Sequence, residues 1–208
     1  MIANYCQSQN ILTKEECELL IREGKKNMHD SMVYKLNQTK ENNIELKEVN
    51  GVNENTRVSK TAIFTNDSSV EVKKILDKVA SAFREIAFYY FRFPMCSIEA
   101  PQFVNYVEND FFSWHLDCAP KTDSEQQFID RDLSASVILS ERSDYEYGGL
   151  EFALADPINV TRIIRIEEEL GSIIVFPSNL IHRVAPIFGG ERSSLVLWGS
   201  HNYGGANI

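Results

Sequence analysis

CSIEAPQFVNYVENDFFSWHLDCAP, residues 96–120, lies where the chain changes character. Upstream, apolar residues recur at helical spacing. From Cys96 onward, short β-branched and aromatic runs are separated by turn signals roughly every ten residues, the pattern of a sandwich or barrel. These runs predict strands at Ile98–Val107, Leu133–Ser140, Gly149–Leu154, Val160–Ile166, Ser172–Pro177, Ile181–Pro186 and Ser193–Ser200. Helices come first and strands follow, with no βαβ alternation. The expectation is an antiparallel double-sheet roll buttressed by helices, and nothing supports a doubly wound parallel sheet.

Upstream of this stretch, Thr13-Lys-Glu-Glu16 reads as a capping box opening a helix that runs to about Met28. Cys17, Leu20, Ile21 and Met28 give it one apolar stripe. Residues 37–55 are rich in Asn, Glu and Lys and read as a surface loop with room for an edge strand. RVSKTAIF (57–64) alternates as a strand. A second helix fits SSVEVKKILDKVASAFREIAFYYF (68–91), capped by Ser68 or Ser69. Its face of Val72, Ile75, Leu76, Val79, Phe83, Ile86 and Ala87 should pack on a sheet.

A chain of 208 residues with 43% apolar content can bury one substantial core, so a single domain is expected. The net charge of −9 argues against a nucleic-acid groove or an anionic membrane as partner, because phosphate binding rests on clustered Lys and Arg. No apolar run approaches the roughly 20 residues a spanning helix needs. The first residues, MIANYCQSQN, lack a basic segment followed by an apolar run, so a cytoplasmic setting is expected. Cys6, Cys17, Cys96 and Cys118 form no CxxC pair and read as reduced thiols, Cys118 as a small core residue. The sequons at Asn37, Asn66 and Asn159 are read as chance.

The chemistry sits in QFVNYVENDFFSWHLDCAP (102–120). His115 and Asp117 are two apart, so on extended backbone both side chains leave one face and can share a metal ion. FPSNLIHRVAP (176–186) offers a third ligand, His182, on another predicted strand. Two imidazoles and one carboxylate on one face of a metal leave three positions open, as Fe(II) oxygen chemistry requires. A bare HxD with a distant His arises often by chance, so the partners matter. Arg192 in FGGERSS (188–194) carries a fixed fork of donors suited to a carboxylate; the alternative is a salt bridge at a hairpin rim. Ser194 faces the same way with a hydroxyl.

With these residues in place the chain resembles the 2-oxoglutarate/Fe(II)-dependent dioxygenases of the prolyl 4-hydroxylase type, and among them the PKHD-type hydroxylases. The resemblance runs through Tyr106, Asn109, Phe112, His115 and Asp117, then RDLSASVILSERSDYEYGGLEF (131–152), GSIIVFPSNLIHRV (171–184) and GGERSSLVLW (189–198). It covers roughly residues 100–200 and touches the Thr13 helix. It implies a double-stranded β-helix (jelly-roll, cupin-like) core over 96–208, with 1–95 as a helical and strand buttress on the major sheet. His115, Asp117 and His182 would be the iron ligands. Arg192 would hold the C5 carboxylate of 2-oxoglutarate, with Tyr106 and Ser194 beside it, and Ser134 and Ser136 would share that face. Phe112 and Trp198 would stand on the substrate side, Trp198 having the alternative of a core aromatic. Implied cofactors are Fe(II), 2-oxoglutarate and O2, with ascorbate as reductant.

The chain also departs from the family pattern. Asn109 stands where Gly is frequent, so this turn would place Asn in a left-handed conformation, and Phe112 stands where Tyr is frequent. The Gly148-Gly149 turn would let a neighbouring strand approach closely. The loop 119–132 reads either as a lid or as a plain solvated loop. Three functions compete: hydroxylation of a peptidyl residue, often proline in the family; hydroxylation of a free amino acid, lipid or other small molecule; and a jelly-roll metal-binding module without turnover. His29 and His201 receive no role.

Overall fold

The computed structural model describes residues 4–31, 35–38, 44–47, 56–118, 131–155 and 161–201. In chain order they form β1 (Cys6–Ser8), α1 (Lys14–Lys25), β2 (His29–Asp30), β3 (Lys35–Gln38), β4 (Ile44–Lys47), β5 (Arg57–Val58), β6 (Lys60–Ile63), α2 (Val70–Phe91), β7 (Ser97–Ile98), β8 (Gln102–Tyr106) and β9 (Phe111–His115). There follow β10 (Leu133–Ile138), a 3-10 turn at Arg142–Asp144, β11 (Tyr145–Tyr147), β12 (Leu150–Ala155), β13 (Thr161–Arg165), β14 (Ile173–Pro177), β15 (His182–Val184), β16 (Ile187–Gly190) and β17 (Arg192–Ser200).

Two antiparallel sheets make the roll. The larger has the order β1-β14-β10-β17-β8-β6-β2, with β7 also on β17, and the smaller has the order β13-β12-β15-β9-β5. Two strand pairs, β11-β16 and β3-β4, stand apart. This is the double-stranded β-helix expected, mostly β with helices laid on the major sheet.

Strand alternation divides the major sheet between a core face and a cavity face. Along β17, Leu195 and Leu197 join Phe103, Leu133, Val137, Ile173 and Val175 in the core under the helices. Arg192, Ser194, Val196 and Trp198, the residues between, line a cavity toward the minor sheet. The helices cover the first face as their periodicity predicts. Thr13 closes its capping box with Glu16, its hydroxyl accepting the Glu16 N–H at 3.3 Å while Glu16 accepts the Thr13 N–H at 2.8 Å. Ser69 caps α2. Val72, Ile75, Val79, Phe83, Ile86 and Ala87 are buried, and Leu76 and Ile21 pack at the margin. Truncating Phe83, fully buried between helix and sheet, should cost about 3–5 kcal/mol.

Several boundaries differ from expectation for identifiable reasons. RVSKTAIF is two strands: β5 pairs with β9 in the minor sheet and β6 with β8 in the major one, so the chain changes sheets at Ser59. The run Ile98–Val107 is interrupted before Gln102, because Pro101 has no N–H to give a ladder. Phe111–His115, Tyr145–Tyr147 and Ile187–Gly190 form strands although their alternation is too short to stand out. Asn109 has φ +70, the left-handed turn expected there. Cys118 is half-buried, not a core residue; the four cysteines are free thiols. The central part of the predicted loop, 119–130, lies outside the described residues, as do the sequon asparagine Asn159 and most of 37–55. Among the described residues no helix is long and apolar enough to cross a membrane.

Candidate metal centre

The two histidines meet because β9 and β15 are antiparallel neighbours whose register sets His115 opposite His182. Asp117 lies just past β9, where its N–H donates to the Ser178 carbonyl at 3.0 Å. This tether turns the carboxylate back between the imidazoles. Asp117 Oδ1 is 3.5 Å from His115 Nε2, and Oδ2 is 3.4 Å from His182 Nε2. One ligand atom from each of the three lies within 4.8 Å of the others.

The surroundings fix which atoms point inward. His115 Nδ1 is 2.8 Å from the Ser113 carbonyl and His182 Nδ1 is 2.8 Å from the Leu180 carbonyl. A carbonyl only accepts, so each Nδ1 carries the proton and each Nε2 presents its lone pair to the centre. The Ser134 hydroxyl donates to Asp117 Oδ2 at 2.7 Å and lies 2.9 Å from Ser178 Oγ. Phe112 stacks on His115 with centroids 3.5 Å apart, and Phe176 meets His182 edge-on at 4.7 Å.

Electrostatics agree with a cation site. Burial lowers the His115 pKa, despite the opposing hydrogen bond to Asp117, so this imidazole is neutral at pH 7. Burial alone would raise the Asp117 carboxyl, but its electrostatic interaction with the facing His182 and with His115 outweighs it and holds it well below the usual range. An ionised carboxylate between imidazole lone pairs is a donor set for a divalent ion, and of the two-His, one-carboxylate kind it suits Fe(II) with positions left open.

A cavity of about 50 Å³ lies beside the centre and opens to solvent. Gln102, Tyr106, Ser136, Arg192, Ser194 and Trp198 line it together with the three candidate ligands. Arg192 sits opposite Tyr106 in the β17-β8 register, its guanidinium carbon 5.7 Å from the Tyr106 ring centre. It is buried rather than at a hairpin rim. Nη1 donates to Ser194 Oγ at 3.3 Å. Trp198 is half-buried under Arg131, 3.6 Å from its ring centre, and among the described residues its indole N–H has no partner. His201 binds Asp132 away from the cavity, and His29 is exposed on β2.

Three contributors escape sequence reasoning. Glu168 fills the other side of Arg192, with Nε donating to Oε2 at 2.8 Å and Nη2 to Oε1 at 2.6 Å. It lies in the run Glu167-Glu168-Glu169, which reads as solvated charge, and only the cross-sheet contact reveals its role. Arg57 lines the cavity with its guanidinium 4.6 Å from the Phe112 ring centre. Ser178 holds Asp117 through its backbone.

Residues 101–200 match the family model described as the 2OG-Fe(II) oxygenase superfamily. A PKHD-type hydroxylase of Shewanella oneidensis is 35% identical over 98 residues, covering 47% of this chain and 41% of that protein. The chain thus spans less than half the length of that relative. Among solved structures, a Pseudomonas putida prolyl-4-hydroxylase superposes with TM-score 0.68 at 20% identity, covering 96% of this chain and 93% of the other. A Trichoplax adhaerens prolyl hydroxylase, solved with a peptide fragment of the hypoxia inducible factor oxygen degradation domain, gives 0.62 at 17% identity over 95% and 83%. These structural likenesses concern the fold.

Proposed function

We propose that this chain, whose residues 101–200 match the 2OG-Fe(II) oxygenase superfamily model, is an Fe(II)- and 2-oxoglutarate-dependent hydroxylase acting on a peptidyl residue. The observation that carries the reading is one cavity with a three-ligand cluster at one end and a buried guanidinium at the other. His115, Asp117 and His182 would hold the iron through Nε2, a carboxylate oxygen and Nε2. When bound, the iron supplies O2 activation coupled to oxidative decarboxylation of the keto acid.

The protein's part is orientation. Arg192, with Ser194 and Tyr106 beside it, would receive the distal carboxylate of 2-oxoglutarate, and so set the keto-acid end toward the ligand cluster. Apolar walls from Val104, Leu150, Phe176, Val184 and Val196 limit water around it. Trp198, stacked under Arg131, lines the cavity and would stand on the substrate side. A peptide is favoured over a free metabolite by the likeness to prolyl hydroxylases, one of them solved with a peptide.

The test is succinate release. Purified protein with Fe(II), ascorbate, O2 and 2-oxoglutarate should form succinate, and adding proline-containing peptides should give +16 products by mass spectrometry. Replacing His182 by Ala should abolish both. Succinate at the background rate in the wild-type protein would reject the oxygenase reading in favour of a binding module, while +16 products only on small molecules would move the substrate to that class.

A further inference from the structure

The guanidinium that would read the co-substrate is already committed to a protein carboxylate. Arg192 and Glu168 side chains are each 1% exposed, and the pair is bidentate. Glu168 does not depend on Arg192 alone. Its Oε1 also accepts the Leu150 N–H at 2.9 Å, and its Oε2 also accepts the Tyr145 hydroxyl. Each oxygen therefore has two donors, and the carboxylate is tied to β12 and β11 as well as β17. Burial would raise its pKa, but the Arg192 charge and these hydrogen bonds keep it ionised.

Two roles are open to such a carboxylate. It could act as a plug that occupies the guanidinium until a ligand's carboxylate displaces it. Alternatively it could be a fixed anchor. The plug would need somewhere to go, whereas this side chain is buried and held by donors from two other strands. We infer that Glu168 is a positioning residue: it engages Nε and Nη2 of Arg192 so that Nη1, beside Ser194, is the nitrogen left to meet a distal carboxylate in the cavity.

The inference rests on the proposed function and adds a consequence for selectivity. A guanidinium pinned on one edge presents charge at one place, so it rewards a 2-keto acid whose second carboxylate reaches that place. Glu168→Gln removes the anionic charge and replaces one acceptor by an amide N–H2 facing donors, which would free Arg192 to turn. A 2-keto acid without a distal carboxylate would not sense the change.

The experiment is titration calorimetry of Mn(II)-loaded protein, without O2, with 2-oxoglutarate and with 2-oxobutanoate. Glu168→Gln should weaken 2-oxoglutarate by tenfold or more while leaving 2-oxobutanoate within twofold. Tyr145→Phe, which removes one of the four hydrogen bonds and keeps the charge, should weaken 2-oxoglutarate two- to fivefold with the same contrast, and serves if the Gln variant does not fold. Tighter or unchanged 2-oxoglutarate binding would overturn the anchor, tighter binding in favour of the plug. An equal loss for both keto acids would reduce Glu168 to a structural role and overturn it too. If the metal-loaded wild-type protein binds no 2-oxoglutarate, the functional reading itself fails and takes this inference with it.

Discussion

Replacing Asp117 by Asn tests the metal centre most directly, because the change is isosteric and removes the negative charge between the two imidazoles. The amide oxygen can still accept from Ser134, which donates to Asp117 at 2.7 Å, so the local scaffold is retained. A ligand that binds only the folded state adds about 2.7 kcal/mol of stability at a concentration about 100 times its Kd. For a chain of this length each kcal/mol moves Tm by about 2–4 °C. Saturating Mn(II) or Fe(II) should therefore raise the wild-type Tm by about 5–11 °C. Disturbing a residue behind a ligand weakens metal about 10–100-fold, so losing a ligand's charge should weaken it by about 100-fold or more. At the same metal concentration the variant would then sit near its own Kd, where the stabilisation is about 0.4 kcal/mol and the shift about 1–2 °C. Differential scanning fluorimetry under anaerobic conditions reads both values. A full-sized shift in Asp117→Asn would refute the assignment of Asp117 as a ligand, and no shift in the wild-type protein would refute the centre.

Ser134→Ala removes the hydroxyl that steadies Asp117 and should lower metal affinity about 10–100-fold, measured by competition with a chelating dye; unchanged affinity would leave Ser134 with packing alone. Burial lowers the His115 pKa below its free value of about 6.5, so the ring stays uncharged at neutral pH. The unfolded state takes up this proton first as pH falls, so the apo protein should lose stability progressively below about pH 6.5, whereas metal binding competes with the lowered folded-state pKa and should stay level past that pH, weakening only on further acidification. Urea midpoints and metal titrations across pH 5–8 check the sign, and stability that rises on acidification would contradict it. Gly171 has φ +71, and a Cβ there would lie 2.1 Å from the Leu12 carbonyl oxygen, backbone that cannot swing aside. Gly171→Ala should cost at least about 2 kcal/mol by urea denaturation while leaving the metal-induced shift intact.

The fold and half of the site were legible from local pattern. Alternation over Leu133–Ile138 and Arg192–Ser200 identifies strands, and the same period of two, applied to residue numbers alone, places Arg192, Ser194, Val196 and Trp198 on one face. The Thr13 capping box and the stripe on α2 announce helices whose polar backs can only face water. The spacing of two marks His115 and Asp117 as a candidate pair, although Asp117 lies just past β9 and its N–H bond to the Ser178 carbonyl is what turns it to the centre. What only the tertiary structure decides is everything carried by pairing between distant segments. The register of β9 on β15 sets His182 across from His115, and sequence order says nothing of register. The sheet change at Ser59 brings Arg57 onto Phe112. Glu168 belongs to the same class: within its own run of glutamates it reads as surface charge, and its burial against Arg192, Tyr145 and Leu150 exists only because β17 and the consecutive strands β11 and β12 converge on it. Local chemistry names candidates one at a time; long-range packing alone determines which of them share a dielectric, a hydrogen bond and a ligand.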